Sequence, residues 1–237
     1  MKDLFGLAIL DYQTNNNPEN LITETSISEA DEMEVSYLFR TYKQMPQLEQ
    51  VALSAARGLV LDVGCGAGSH SLYLQNELNL DVDAIDLSDN AVEACKLRGL
   101  KNVFKTHLLH LQNKKYDTIL LLMNGTGIFG SLAQTPIFLQ KLKSILNQNG
   151  QILIDSSDLI YMFDEDGDGA KLVPADRYYG ELTFTITYKK IIEEPLSWLY
   201  LDFNTLQNAC HDNGLLCELI CEGPNFDYLA KLTHLKR

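Results

Sequence analysis

Long apolar runs, a leader segment and metal-binding cysteine patterns are absent from this sequence. No apolar run approaches the roughly 20 residues that a membrane-spanning helix needs. The stretch from Met1 to Leu10 lacks a basic region followed by a long apolar core, so we expect no signal peptide. The five cysteines have no metal-ligand spacing. These absences predict a cytoplasmic protein with reduced thiols, no membrane partner and no bound metal.

Basic residues are also scarce. The chain has 19 lysines and arginines against 32 acidic residues, which gives a formal net charge of −13. Proteins that act on a phosphate backbone usually carry a basic face, so this balance predicts that nucleic acid is not a partner. With 237 residues, 46% of them hydrophobic, the chain can form one α/β domain, alone or with a cap.

What the sequence does contain is a strand followed by a glycine-rich turn and a helix. The run from Leu59 to Val63 is typical of a buried strand, and a helical pattern begins at Leu72. Glycine lets a backbone approach a ligand without a Cβ in the way, and a helix N-terminus offers unpaired N–H groups. The pattern therefore predicts a nucleotide-binding turn. Its three glycines occupy alternate positions: Gly64, Gly66 and Gly68.

The spacing of these glycines bears on the kind of nucleotide. The dinucleotide fingerprint needs its third glycine one position later, where this chain has Ser69. This spacing disfavours an NAD-dependent oxidoreductase. An ordinary strand–helix turn that happens to be rich in glycine remains an alternative.

Strands and helices alternate through the middle of the chain. Repeated strand–helix units predict right-handed crossovers and a parallel sheet. The apolar run from Ile119 to Leu122 is expected of a central strand that is buried on both faces. The five predicted strands span residues 59–63, 82–86, 102–106, 116–123 and 151–155. The helices predicted from N-terminal residues or apolar stripes begin near Pro46, Leu72, Ser88, Thr135 and Asp202.

Three segments depart from this alternation. The period-two pattern of residues 181–190, followed by a strand at 197–201, predicts an inserted β-hairpin. Residues 215–221 and 228–235 predict a closing pair of strands. The first 44 residues precede the main fold and end in an aromatic-rich stretch that contains Arg40.

At Asp62 and the three glycines, the sequence resembles motif I of the class I S-adenosylmethionine-dependent methyltransferases. Three stretches together resemble a bacterial subgroup whose acceptor is unassigned: Tyr37 to Leu53, the glycine loop through Leu74, and Asp117 to Gly125. The resemblance covers roughly residues 45–160 and 202–235. It implies an α/β, Rossmann-like, doubly wound seven-stranded sheet, mostly parallel with an antiparallel last strand. We therefore expect a cap segment at 1–44 and a methyltransferase domain at 45–237, with an acidic loop and a hairpin inserted at about 161–201.

The residues that follow each strand should converge on the cofactor, S-adenosyl-L-methionine, because ligands bind outside the carboxyl ends of an open parallel sheet. The glycine loop would pass beneath the methionine portion and the ribose. Asp62 would accept hydrogen bonds from backbone N–H groups or, through water, from the methionine ammonium. Asp86 ends the second strand and would accept both ribose hydroxyls, and Leu87 beside it joins the expected contacts.

Three further residues complete the expected cofactor site. Members of the family often carry an acidic residue after the third strand that touches the adenine amine, and His107 stands at that position here. A merely exposed histidine is an equal alternative, although the backbone of Leu108 could still contribute. Asn124, after the fourth strand, would face the sulfonium or the acceptor.

The aromatic-rich stretch supplies candidate substrate contacts at Tyr37, Arg40 and Tyr42. An arginine between aromatic residues suits a carboxylate ligand, and a buried structural ion pair is an equal alternative. Methyl transfer from a sulfonium is an in-line displacement that requires proximity and alignment, with a base only if the acceptor must lose a proton. We therefore name no catalytic base, and His70 is expected to be structural.

Residues 164–169 match the first half of a calcium-binding loop, with acids at its first, third and fifth positions and glycine at its sixth. The bidentate glutamate of the twelfth position would be Ala175, and flanking helices are not predicted. We interpret the segment as an acidic solvent-facing turn.

The sequence thus favours methyl transfer to a small-molecule acceptor. A non-catalytic nucleoside-binding protein is the main alternative, and an NAD-dependent oxidoreductase is a weaker one.

Overall fold

In a computed structural model, residues 2–235 form two β-sheets and the helices that pack on them. The helices of this described part are α1 (Leu4–Thr14), α2 (Gln47–Ala55), α3 (Ser69–Asn76), α4 (Asp89–Leu97), α5 (Thr135–Ser144) and α6 (Phe203–Asp212). The strands are β1 (Leu21–Thr25), β2 (Ser28–Met33), β3 (Val60–Val63), β4 (Val82–Asp86), β5 (Val103–Lys105), β6 (Tyr116–Leu121), β7 (Leu146–Ser157), β8 (Glu181–Tyr188), β9 (Ile191–Ile192), β10 (Leu196–Leu199), β11 (Leu215–Glu222) and β12 (Asp227–His234).

The larger sheet confirms the predicted seven-stranded architecture. Its strand order is β11-β12-β7-β6-β3-β4-β5, and β12 runs antiparallel to both of its neighbours. Apolar side chains cover both faces, with α5 and α6 on one and α2 and α3 on the other. The strand order reverses between β3 and β6, so the carboxyl ends of these two strands mark the place where such sheets bind ligands.

Local sequence rules located most of the element ends. Strand β4 has the predicted bounds. Ser88 caps α4, its hydroxyl accepting a hydrogen bond from the backbone N–H of Ala91 at 2.9 Å. Pro46, which the sequence suggested as the first helical residue, is instead the N-cap of α2. The strand predicted at 151–155 is longer in the structure, where β7 begins at Leu146 and its pairing with β6 shifts register before Gln151. An irregularity within one long strand therefore replaces the predicted start of that strand.

The smaller sheet is the main departure from the sequence-based prediction. The predicted hairpin does form, as β8 to β10, but β8 also pairs with β1 in an antiparallel sheet of order β10-β8-β1-β2, with β9 on β8. Strand β2 carries no signal in the sequence, because five of its six residues are exposed and no alternation results. Helix α1 is not predictable from its residues either, because this short helix is buried at positions around its circumference and shows no amphipathic stripe.

A buried carboxylate joins α1 to the smaller sheet. Asp11 accepts hydrogen bonds from the Tyr188 hydroxyl at 3.0 Å, the Lys189 ammonium at 2.7 Å and the Asn16 amide at 2.7 Å. Burial alone would raise the pKa of Asp11, but these three donors outweigh it and hold the pKa below its ordinary value. Helix α1 and strands β1 and β2 are therefore joined to the hairpin through one sheet and one buried carboxylate.

None of the helices in residues 2–235 combines the length and the apolar character that a membrane span requires.

Replacing Asp11 with Ala should detach α1 from β8. The change leaves a tyrosine hydroxyl and a lysine without their shared acceptor, and we expect it to lower the free energy of unfolding by about 1–3 kcal/mol. Urea denaturation measures the loss. The control is Glu29→Gln, which removes one negative charge from an exposed position on β2. Equal stabilities of the two variants would contradict the anchoring role of Asp11.

Candidate active site

The glycine loop joins the end of β3 to the start of α3. Gly64, Gly66 and Gly68 all have positive φ angles, of 73°, 53° and 79°. A Cβ on Gly64 would meet no atom within 4 Å, and one on Gly66 would meet only Ile9 Cδ1 at 3.9 Å. A Cβ on Gly68 would instead lie 2.8 Å from the Cys95 sulfur. The first two glycines therefore leave space where a ligand can approach, whereas the third allows α4 to pack closely.

Asp86, at the end of β4, holds this loop in place. One carboxylate oxygen accepts the backbone N–H of Gly66 at 2.9 Å, and the other accepts that of Ser88 at 2.9 Å. Burial raises the pKa of Asp86, and these N–H groups partly offset the effect. Each oxygen retains a lone pair. The carboxylate can thus accept further hydrogen bonds from a ligand while it fixes the loop, and Leu87 lies exposed beside it.

Asp62 lies beneath the same loop and is buried. Its carboxylate accepts the Ser71 hydroxyl of α3 at 2.6 Å. Burial raises its pKa, and the nearby charge of His70 and the Ser71 contacts act in the opposite direction. Asp62 therefore joins the end of β3 to the first turn of α3, the arrangement that orients the N-terminus of this helix.

His107 follows β5 and begins a short 3₁₀ turn. Its Nδ1 accepts the backbone N–H of Leu109 at 3.1 Å, which places the proton of the neutral ring on Nε2. Burial, followed by the neighbouring His110, lowers the pKa of His107, so the neutral form is favoured. The Leu108 side chain packs into the core of the larger sheet. Only the backbone of Leu108 is therefore available to a ligand.

The loop after β6 has an unusual backbone that a second aspartate supports. Met123 and Asn124 are consecutive non-glycine residues with positive φ angles, 66° and 60°. The Asp155 carboxylate, near the end of β7, accepts the backbone N–H groups of Met123 at 3.0 Å and Gly125 at 2.8 Å. Strained backbone of this kind persists where the surroundings impose it, often at functional sites.

The Asn124 side chain is held by its neighbours. Its amide nitrogen donates to the Leu199 carbonyl of β10 at 3.3 Å, and its oxygen accepts the Ser156 hydroxyl at 3.0 Å. A Cβ on Gly127 would clash with the Trp198 ring, so β10 lies directly against the loop after β6. The hairpin therefore covers the carboxyl end of a central strand.

Arg40 forms a buried network with Glu49 of α2 and His70 of α3. The guanidinium donates to both Glu49 oxygens, at 2.5 and 2.6 Å, and to the Tyr37 carbonyl at 2.7 Å. His70 Nε2 lies 2.7 Å from a Glu49 oxygen. Burial would raise the pKa of Glu49, but His70 and Arg40 hold it below its ordinary value. Of the two interpretations that the sequence allowed for Arg40, the structure has the buried ion pair.

A cavity of about 270 Å³ opens next to this network. It brings Tyr37 and Asn124 of the predicted site together with residues for which no site role was predicted. Tyr42 lies apart from it, stacked on Tyr73 with ring centroids 4.2 Å apart. The lining residues are Tyr37, Pro46, Leu48, Glu49, Met123, Asn124, Asp155, Ser156, Ser157 and Asp227.

Two groups of residues at this site have no role in the sequence-based prediction. Asp155 and the serines after it end a predicted strand, so the rule that singled out Asp86 applies to them equally. Ile9 above the glycine loop gave no such signal, because α1 itself was not predicted. Ile9 lies close to Gly66 only because α1 packs against α4 in the folded chain.

The acidic turn at residues 164–169 lies outside the cavity lining. Its Asp166 carboxylate accepts the backbone N–H groups of Asp168 and Ala170, each at 2.9 Å. Lys171 pairs with Glu165 at 3.0 Å. Within residues 2–235 there is no group of three or more His, Cys, Asp or Glu side chains arranged to hold a metal ion.

Comparison with known proteins shows which family this chain is similar to. A family model described as a methyltransferase domain matches residues 60–150. An S-adenosylmethionine-dependent methyltransferase from Bacteroides fragilis, crystallised with S-adenosyl-L-homocysteine, is 46% identical over 99% of this chain and 96% of its own, with a TM-score of 0.91. A similar enzyme from Clostridium acetobutylicum shares the fold at 15% identity, with a TM-score of 0.58 over 82% of this chain and 92% of its own.

A third relative, a tRNA U34 carboxymethyltransferase from Pseudoalteromonas translucida, is 27% identical over 128 residues. The match spans 50% of this chain and only 36% of that protein.

The ionisation of Asp155 should be measurable as a pH dependence of stability. Burial raises its pKa from 3.8 to about 6, opposed by the two N–H groups and by His70 and reinforced by Glu49. Because the folded chain binds this proton more tightly than the unfolded chain, the contribution of Asp155 to stability falls as the pH rises through 4 to 6. Between pH 5 and 7, wild type should lose about 1 kcal/mol relative to Asp155→Asn.

Urea denaturation of both proteins at the two pH values provides the measurement. The asparagine loses one of the two N–H contacts, but that loss is the same at both pH values. Parallel pH profiles for the two proteins would show that Asp155 does not titrate in this range.

Proposed function

This chain belongs to the class I S-adenosylmethionine-dependent methyltransferases, and we propose that it methylates a small-molecule acceptor by in-line displacement. The observation that carries the proposal is the open space at Gly64 and Gly66 beside the partly unsatisfied carboxylate of Asp86. The family supplies the donor, S-adenosyl-L-methionine. S-adenosyl-L-homocysteine, the demethylated form of this donor, is the ligand of the Bacteroides fragilis relative.

The residues at the strand ends fit this donor. The free lone pairs on the two Asp86 oxygens would accept the ribose hydroxyls. Backbone at Gly64 and Gly66 would lie beneath the ribose and the methionine portion. Leu87, His107 and the Leu108 backbone would border the adenine, with the neutral His107 ring offering its Nε2–H.

The donor supplies an electrophilic methyl group on a positively charged sulfur, so the protein mainly has to align the acceptor. Asn124 and Asp155 are suited to this role because their positions are fixed: Asp155 lies on β7 and bonds the loop after β6, and Ser156 holds the Asn124 side chain of that loop. Tyr37 lines the same cavity and would contact the acceptor. The Arg40 guanidinium, which is occupied by Glu49, would act by holding the Tyr37 backbone.

The size and charge of the cavity support a small acceptor. A volume of about 270 Å³ corresponds to roughly nine water molecules at 30 Å³ each, which is far too small for a folded polynucleotide. The lining contains carboxylates, and the net charge of the chain is −13. Both features repel phosphates.

The donor site can be tested at Asp86 and Gly66. Removing a hydrogen bond to a charged group costs about 1.5–3 kcal/mol, so Asp86→Ala should weaken S-adenosyl-L-homocysteine binding roughly 10- to 100-fold. Gly66→Val should weaken it further, because a branched side chain would occupy the ligand's space and the φ of 53° disfavours valine. Isothermal titration measures both effects.

The matched control is Asp89→Asn, three residues further on, whose carboxylate is exposed and pairs with Lys105. Thermal unfolding of each variant separates a loss of ligand contacts from a loss of loop structure, since Asp86 also holds Gly66. Unchanged affinity in a folded Asp86→Ala variant would remove Asp86 from the ribose site. The proposed donor would be contradicted if the wild-type protein bound NAD but neither S-adenosyl-L-methionine nor S-adenosyl-L-homocysteine.

The prediction that the acceptor is not a nucleic acid can be tested by retention on immobilised tRNA. We expect no retention of the protein on immobilised tRNA at 50 mM salt, because the acidic chain and the acid-lined cavity offer no counterion release. A basic RNA-binding protein serves as the positive control. Retention that weakens as the salt concentration rises would instead favour an RNA acceptor.

A further inference from the structure

The cavity next to the network of Arg40, Glu49 and His70 is lined by charges of one sign. Three of its residues carry carboxylates, Glu49, Asp155 and Asp227. In the described part of the chain, its lining includes no lysine, arginine or histidine. The remaining polar groups are neutral: the Asn124 amide, the Ser156 and Ser157 hydroxyls and the Tyr37 phenol. A bound molecule would therefore meet acceptors of hydrogen bonds and negative charge.

Protein groups already neutralise one of these carboxylates. Glu49 receives two hydrogen bonds from Arg40 and one contact from His70, so both of its oxygens are occupied by cationic or ionisable partners. Its role is to hold the network that supports Tyr37. It offers little to a ligand.

The other two carboxylates have no cationic partner among the ion pairs of residues 2–235. The Asp155 oxygens accept one backbone N–H each, and Asp227 Oδ1 accepts the backbone N–H of Asn225 at 3.0 Å. Each carboxylate therefore keeps lone pairs free. Asp155 is buried, and a buried carboxylate without a countercharge is unfavourable unless a ligand supplies one.

The sheet brings these two side chains to one place. On the antiparallel pair β7 and β12, Asp155 lies opposite Leu229 and Asp227 lies opposite Ser157. The two aspartates are therefore diagonal neighbours on the same face, a relation that separates residues by about 7–8 Å. One small cation can contact two carboxylates at that spacing.

We infer that the methyl acceptor is a small amine, which binds as its ammonium ion between Asp155 and Asp227. This inference rests on the proposed function, because it assigns a chemical class to the acceptor of that reaction. The cavity limits the amine to about ten non-hydrogen atoms.

The reaction balances without any further reactant. The bound ammonium gives one proton to the Asp155 carboxylate. The freed lone pair on nitrogen forms the new bond to the methyl carbon, while the carbon–sulfur bond breaks and its electrons remain on sulfur. The products are an N-methylammonium ion and the neutral thioether, and the proton on Asp155 passes to water when the product leaves.

In this reaction the two aspartates have different roles, because Asp155 accepts the proton and Asp227 stays ionised beside the acceptor nitrogen. Methyl transfer moves a positive charge from sulfur to the acceptor nitrogen. Once Asp155 has taken the proton, the acceptor nitrogen is neutral, and the ionised Asp227 carboxylate next to it stabilises the positive charge as it arrives. Asp227 therefore favours the transition state over the neutral amine that precedes it. A pKa of Asp155 near 6 leaves it ionised at neutral pH and still able to take a proton.

The test compares three ring compounds that differ only in one substituent: cyclohexylamine, cyclohexanol and cyclohexanecarboxylate. Each is titrated by NMR chemical-shift perturbation into the full-length protein saturated with S-adenosyl-L-homocysteine. The amine should bind at least tenfold more tightly than the alcohol, and the carboxylate should bind more weakly than the alcohol. Asp227→Asn should weaken amine binding at least threefold and leave alcohol binding unchanged.

The control variant is Glu222→Gln, which removes the same charge from an exposed position on β11 outside the cavity. Asp155→Asn is a second variant, but Asp155 also supports the loop after β6, so Asp227→Asn decides the matter if Asp155→Asn does not fold.

Three outcomes overturn the inference: equal or tighter binding of the alcohol or the carboxylate, no binding of any of the three compounds, or equal loss in Asp227→Asn and Glu222→Gln. Saturation with S-adenosyl-L-homocysteine is measured first and independently. Failure at that step counts against the proposed function itself, whereas failure only at the second step leaves the donor site intact.

Discussion

Carboxylates that accept backbone N–H groups hold the two loops on which the site depends. Asp86 fixes the glycine loop through Gly66, and Asp155 fixes the loop after β6 through Met123 and Gly125. Both loops have positive φ angles, which glycine adopts readily in the first loop but which are strained at Met123 and Asn124 in the second. In each case a carboxylate near the end of a strand, instead of water, accepts the hydrogen bonds of the loop N–H groups. The loop is therefore held in place by the strand, whose own position is fixed by the sheet.

The buried network of Arg40, Glu49 and His70 connects three elements around the same site. It ties the segment before α2 to α2 itself and to the first turn of α3. Buried ion pairs often contribute little net stability, because desolvation offsets their attraction. Their geometric effect is larger here, since the guanidinium also fixes the Tyr37 backbone and lies 4.1 Å from the centre of its ring. The network thus sets the wall of the cavity.

Capping residues and hydrophobic patterns in the sequence predicted the elements that depend on residues close together in the chain. Strand β4, the Ser88 cap and the central apolar strand follow from residues within a few positions of one another. The smaller sheet could not be found this way, because β2 is almost wholly exposed and β1 is stabilised by pairing with β8. The ion pair of Arg40 could not be predicted from local residues either. Its partner Glu49 is nine residues away on α2, and the two side chains meet only because that helix is packed in the folded chain.

The pairing of β1 with β8 also orders the events of folding. Ile22 lies opposite Thr187, so this ladder closes a loop of about 165 residues and its formation carries a large entropic cost. On the ribosome, α1 and β1 emerge long before β8 exists, whereas the strands of the larger sheet from β3 to β7 can assemble with nearer neighbours. The smaller sheet is consequently among the last parts to be completed, whereas Ile9 above the glycine loop depends on the packing of α1 against α4, and both of those helices are made long before β8.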